Sequence, residues 1–69
     1  MTIGEKFVRY RAMHKLTQKQ FGELLGLGTN TIHRAEKGGV NMHKAHKVRL
    51  EILFDKLLES RGETGEEWH

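Results

Sequence analysis

Residues 17–38 read TQKQFGELLGLGTNTIHRAEKG, and the placement of glycine and apolar residues in this stretch decides the fold. Thr17 and Gln20 stand three apart, the spacing at which a helix is capped reciprocally at its start. Phe21, Leu24 and Leu25 give that helix an apolar face, and Gly26 supplies the left-handed residue that ends it. A glycine inside a helix costs about 1 kcal/mol relative to alanine. Gly22 therefore marks a point where a second element packs closely. After the tight turn Gly26-Leu27-Gly28, a third helix is expected from Thr29 to about Lys37, stopped by Gly38-Gly39. Ile32 is its inward branched residue, with Ala35 beside it, and Leu27 completes the inward set. Two short helices locked across a tight turn form a helix-turn-helix.

The flanking sequence is also helical in period, with apolar residues at three- and four-residue steps and no proline. Thr2 and Glu5 repeat the capping spacing, so a first helix is expected over 2–14, with Phe7, Tyr10 and Met13 on adjoining turns. A fourth helix is expected from about Met42 to Glu59, with Asn41 as a cap. It carries Ala45, Val48, Leu50, Ile52, Leu53, Phe54, Leu57 and Leu58, more than one narrow stripe. Either the small domain wraps most of this helix, or Leu50, Phe54, Leu57 and Leu58 meet a second copy of the chain. Residues 1–59 form the expected domain. Residues 60–69, with two glycines and three glutamates, are expected to be a disordered acidic tail with a loose Trp68.

The 69 residues carry a formal charge of +3, unevenly distributed. Residues 1–50 hold ten Lys and Arg against three acids, and residues 51–69 hold two against six. A basic body of this kind fits a polyanionic partner. Cysteine is absent, which excludes disulfides and cysteine-bearing zinc fingers. No apolar run approaches the ~20 residues of a membrane span, and Met1 to Lys6 lack the apolar core of a signal peptide. A soluble cytoplasmic protein with no membrane contact is expected. His43 and His46 are spaced for one helix face, but a metal site needs three or four ligands, so no metal is expected. Neither a phosphate loop nor an acid-base set is present, so no cofactor and no enzymatic activity are expected.

Over about residues 3–58 the chain resembles the lambda-repressor/Cro-like family, also called the xenobiotic-response-element type. The resemblance is most specific from Leu16-Thr17-Gln18 to Glu36-Lys37-Gly38. It implies an all-α fold, a compact bundle of four helices or five. It also implies an ion pair between Arg11 and Glu36 that orients Arg11 toward a phosphate. Ala35 is smaller than the residue usual in the family, the link between helices 3 and 4 lacks the usual proline, and a distinct fifth helix is missing.

In that family the second helix of the motif enters the DNA major groove with its N-terminal residues at base edges. The outward residues here are Thr29, Asn30, His33, Arg34 and Lys37. Asparagine can make a bidentate contact to adenine, arginine to guanine, and a threonine methyl can touch thymine. Phosphate contacts are expected from Arg11, Gln18 and Thr31 on one side and from Asn41, Lys44 and Lys47 on the other. The resemblance implies a homodimer on a palindromic operator, a repressor that can act on its own operon, nucleoid-associated in the cytoplasm. The alternative is a protein-interaction module on the same fold, an antitoxin or coactivator-type bridge, with a protein partner at the C-terminal tail.

Overall fold

The structure, a computed structural model, describes residues 1–39, 41–63 and 68. The elements are α1 (Ile3–His14), α2 (Gln18–Leu25), α3 (Thr29–Glu36) and α4 (Lys44–Ser60), with no strand among the described residues. The fold is all-α. A radius of gyration of 11.0 Å matches the ~11 Å of a compact chain of this length.

The first two helices begin where the sequence places their caps. Thr2 Oγ1 accepts from the Glu5 amide at 3.2 Å, and the Glu5 carboxylate accepts from the Thr2 amide at 2.9 Å. Thr17 and Gln20 repeat both bonds at 3.0 and 2.9 Å. Each reciprocal pair satisfies two amides that a helix start otherwise leaves without partners. At the other end of α2, Gly26 is left-handed at φ 72°, and the Leu27 amide reaches back to the Gly22 carbonyl at 2.8 Å. The chain thus turns sharply into α3, which starts at Thr29 and ends at Glu36, one residue before the expected end.

A single core forms between the four helices. Phe7, Tyr10, Phe21, Ile32, Leu50 and Phe54 are fully enclosed. The aromatic rings pack edge-on or tilted, with Phe7 and Phe21 centroids 4.9 Å apart and Tyr10 and Phe54 5.7 Å apart. Leu16, Leu27 and Leu53 are partly buried against this cluster. Two expected apolar positions lie outside it, namely Met13 and Leu24. At 100° per residue, the buried arc of α1 through Ile3, Phe7 and Tyr10 continues to position 14, and Met13 is displaced from it by roughly 90°. His14 occupies the continuing position, its ring 4.3 Å from that of Tyr10. Leu24 is likewise rotated away from the arc of Phe21, Gly22 and Leu25.

The helix α4 resolves the two readings of its apolar surplus. Leu50, Phe54, Leu57 and Leu58, expected as a surface for a second copy, are buried within the chain. They share one side of α4 because steps of three and four keep residues on one face. The residues left outside are Ala45, Val48 and Ile52, of which Val48 and Ile52 are each 49% exposed. The helix begins at Lys44 rather than Met42. His43 is its cap, without a side-chain hydrogen bond, in place of Asn41. Met42 is instead turned into the core.

Two close approaches set the helix arrangement. Gly22 lies against the Leu27 carbonyl, 2.6 Å from where a Cβ would sit. Gly4 on α1 lies against the Ala35 carbonyl of α3, and a Cβ there would overlap that oxygen. The small Ala35 fits this contact, since α1 and α3 meet nearly backbone to backbone. Although alanine favours a helix over glycine by about 1 kcal/mol, Gly4→Ala should lower stability by about 1–3 kcal/mol net through overpacking. Urea unfolding measures this, and a variant as stable as the parent would mean that the two backbones do not touch.

The C-terminal segment departs from the expectation of a loose tail. Ser60 closes α4, Arg61 Nη1 donates to Tyr10 Oη at 3.1 Å, and His14 Nε2 lies 3.5 Å from the Glu63 carboxylate. Trp68 is 3% exposed, its ring 5.2 Å from Phe54, with the Arg9 guanidinium 5.3 Å from its centre. The disorder expected for residues 64–67 and 69 lies outside the described residues. Trp68→Ala should cost about 3 kcal/mol, the usual scale for losing a buried large aromatic. Because the chain has one tryptophan, its emission should be blue-shifted in the native state and move to the red on unfolding. Native emission equal to that of the unfolded chain would show the ring in water.

Candidate nucleic-acid interface

The outward face of α3 follows from what its inward face must do. Ile32 and Ala35 are buried at 0% and 1% exposure. They pin α3 against α1 and α2. The helical period then leaves Thr29, Asn30, His33 and Arg34 in solvent, with Lys37 just past the helix end. All five residues expected at base edges are exposed, four of them on α3 and Lys37 at its C-terminal cap. Gly28, the cap of α3, has no side chain to bond the first-turn amides, and its carbonyl accepts from the Thr31 amide at 3.1 Å.

A buried carboxylate holds this element in place. Glu36 accepts from Arg11 Nε at 2.7 Å and from Arg11 Nη2 at 2.6 Å, a bidentate pair. It accepts a third bond from Gln18 Nε2 at 3.1 Å. Arg11 Nη1 donates to the Leu16 carbonyl at 3.1 Å. Glu36 of α3 therefore ties the end of α1 to the start of α2, and Arg11 adds the loop between them. Burial pushes the Glu36 carboxyl up, but the Arg11 and Gln18 hydrogen bonds and the Arg11 charge outweigh it and hold the group below its ordinary value. Its partner Arg11 is pushed further up, chiefly by the same hydrogen bonds. Both shifts report one interaction.

The expected phosphate contacts divide into two groups. Arg11 is part-buried, 23% exposed at its side chain, and holds Glu36 and Leu16. The Gln18 side-chain amide is committed to Glu36. What Gln18 retains for an anion is its backbone position in the first turn of α2. Thr31 is half-buried. Beyond α3, Asn41 and Lys44 are exposed, and Lys47 runs its chain over Gly39, with Cε 3.0 Å from where a Cβ of that glycine would sit.

The electrostatics of this side are one-signed. From Gly26 to Lys44 the single acidic residue is Glu36, and it faces inward with 7% of its side chain exposed. Arg34, Lys37, Lys44 and Lys47 form none of the ion pairs found among the described residues. No group of three or more histidine and acidic residues gathers at metal-binding spacing among the described residues, and no helix there is long and apolar enough to cross a membrane. The sequence did not point to Gly4, whose contact with Ala35 sets how deeply α3 sits. A glycine at the second position of a capped helix reads as an ordinary helix start until its neighbour is known. No family model, no curated protein and no solved structure matches the chain.

The Glu36 clamp gives a pH signature. Its folded-state carboxyl lies below the ordinary value, so its stabilisation is present in full above the unfolded-state value near 4.5. It is lost as the pH falls through the depressed folded-state value. Glu36→Gln should cost about 1.5–3 kcal/mol at pH 7, the scale of hydrogen bonds to a charged group. The difference from the parent should shrink below pH 4. Urea unfolding at pH 7 and at pH 3 checks both, and an equal deficit at the two values would contradict the ionised clamp.

Proposed function

We propose that the chain is a sequence-specific double-stranded DNA-binding transcriptional regulator, a lambda-repressor-like helix-turn-helix protein that reads the major groove with α3. The observation that carries this reading is the outward face of α3. Thr29, Asn30 and His33 are free in solvent while Ile32 and Ala35, interleaved with them, are enclosed. An eight-residue helix spans ~12 Å, and a major groove ~12 Å wide admits a helix. The first-turn residues then meet base edges. Asn30 is suited to adenine N6 and N7, His33 to a guanine acceptor, and the Thr29 methyl to thymine.

Lys44 and Lys47 beside the 38–44 turn and the backbone at Gln18 in the first turn of α2 supply phosphate contacts that fix register. Occupying a promoter is the simplest way for such a domain to regulate, and autorepression fits that role. Reading a palindromic operator calls for a second copy. The apolar residues that α4 leaves for it are Ala45, Val48 and Ile52, not the enclosed Leu50, Phe54, Leu57 and Leu58. The alternative of a protein-interaction module draws on the acidic tail with Trp68 as its feature. That ring is engaged by Phe54, Tyr10 and Arg9 of the same chain, which favours the DNA reading.

Selection of bound duplexes from a random pool tests the proposal. A short recurrent motif should emerge, and Asn30→Ala should relax preference at one base position by about 1–3 kcal/mol. It should leave binding to unrelated duplexes nearly unchanged. No enrichment over successive rounds, or an equal loss on all sequences, would overturn it.

A further inference from the structure

The end of α3 and the turn that follows enclose a hollow of about 230 Å³ lined by Arg34, Lys37, Gly39 and Asn41. Among the described residues no carboxylate lines it, and two of the four lining residues, Arg34 and Lys37, are cations. Arg34 Nη2 lies 3.5 Å from the Asn41 carbonyl, a contact that links the guanidinium to the turn after α3. The turn can wrap this tightly because Gly38 and Gly39 are left-handed, at φ 101° and 60°. Lys47 also lies against Gly39, which adds a third cation to this turn.

The geometry points to this hollow as the seat of a single phosphate of the DNA backbone, with Arg34 and Lys37 as its cationic walls and the Asn41 side chain as a further donor. The assignment rests on the DNA reading above and changes it in one respect. Arg34 and Lys37, expected at base edges from their outward positions, become sequence-neutral grips, and base readout narrows to Thr29, Asn30 and His33. Position along the helix supports this. Lys37 lies ~12 Å beyond Thr29 at 1.5 Å per residue. A recognition helix whose start is deepest in the groove brings its far end up to the backbone. Two cations and a neutral donor lining one space suit the oxygens of a phosphodiester, whereas a guanine edge would engage the Arg34 fork alone and leave Lys37 and Asn41 without a role.

Two measurements test the seat, one of them without DNA. In the first, inorganic phosphate is titrated at low ionic strength into the isotopically labelled chain. The Arg34 Nε–H and Asn41 side-chain amide signals should shift together and saturate, and Arg34→Gln should abolish the shift at Asn41. Uniform, non-saturating shifts across all basic residues would overturn the seat. In the second, Arg34→Gln and Lys37→Gln are each measured on the selected duplex and on random duplexes over a salt series. Each should weaken binding by the same factor on every sequence and lower the slope of log K against log salt by about one. A changed base preference in either variant would overturn the assignment while leaving the DNA reading intact. Saturable phosphate binding in a chain that binds no duplex would retain the seat and remove the DNA reading. Both side chains are exposed, and an unchanged thermal melt of each variant separates these outcomes from misfolding.

Discussion

Three hydrogen bonds converge on the carboxylate of Glu36, two from Arg11 and one from Gln18. They join three helices at one point. Leaving a carboxylate enclosed without partners would cost several kcal/mol, so the end of α3 is fixed relative to α1 and α2 or the fold is penalised. Arg11 also holds the Leu16 carbonyl, which settles the loop from which α2 springs. The orientation of α3, and with it the direction of every outward side chain, depends on this small polar cluster as much as on the apolar core beneath it.

The core and the clamp work through different contacts. The aromatic group of Phe7, Tyr10, Phe21 and Phe54 supplies non-directional stabilisation. It would tolerate some rotation of α3. The glycine contacts at Gly22 and Gly4 and the bidentate Arg11–Glu36 pair do not, because each is satisfied over a narrow range of positions. Trp68 covers one side of the aromatic group and brings Arg9 with it. Chain beyond α4 therefore contributes to a core that would otherwise be small for 69 residues.

Much of this was legible in the residues. Caps at Thr2 and Thr17, the left-handed Gly26, the inward Ile32 and the Arg11–Glu36 pair all rest on local spacing or on positions matched to a family pattern. What escaped was set by tertiary neighbours. Met13 and Leu24 read as core because they are apolar and near the right period, yet no helix covers their side. The four large residues of α4 could equally have met a second copy, and only the packing of α1 and α2 against them decides for the core. Trp68 was read from an acidic, glycine-bearing neighbourhood, and composition cannot register an aromatic pocket formed by Tyr10 and Phe54. Arg34 and Lys37 were placed on the outward face correctly, but the turn that draws Arg34 toward Asn41 depends on left-handed Gly38 and Gly39.

Mapping of backbone amide shifts in the labelled chain on addition of a duplex at low salt tests most directly whether the clamped α3 presents its outer face to a DNA groove, as proposed. Changes should cluster at Thr29 to His33, at the first turn of α2 and around Asn41 and Lys44, with Ile32 and Ala35 moving little. Shifts confined to the Ala45, Val48 and Ile52 side of α4, or none at all, would contradict it.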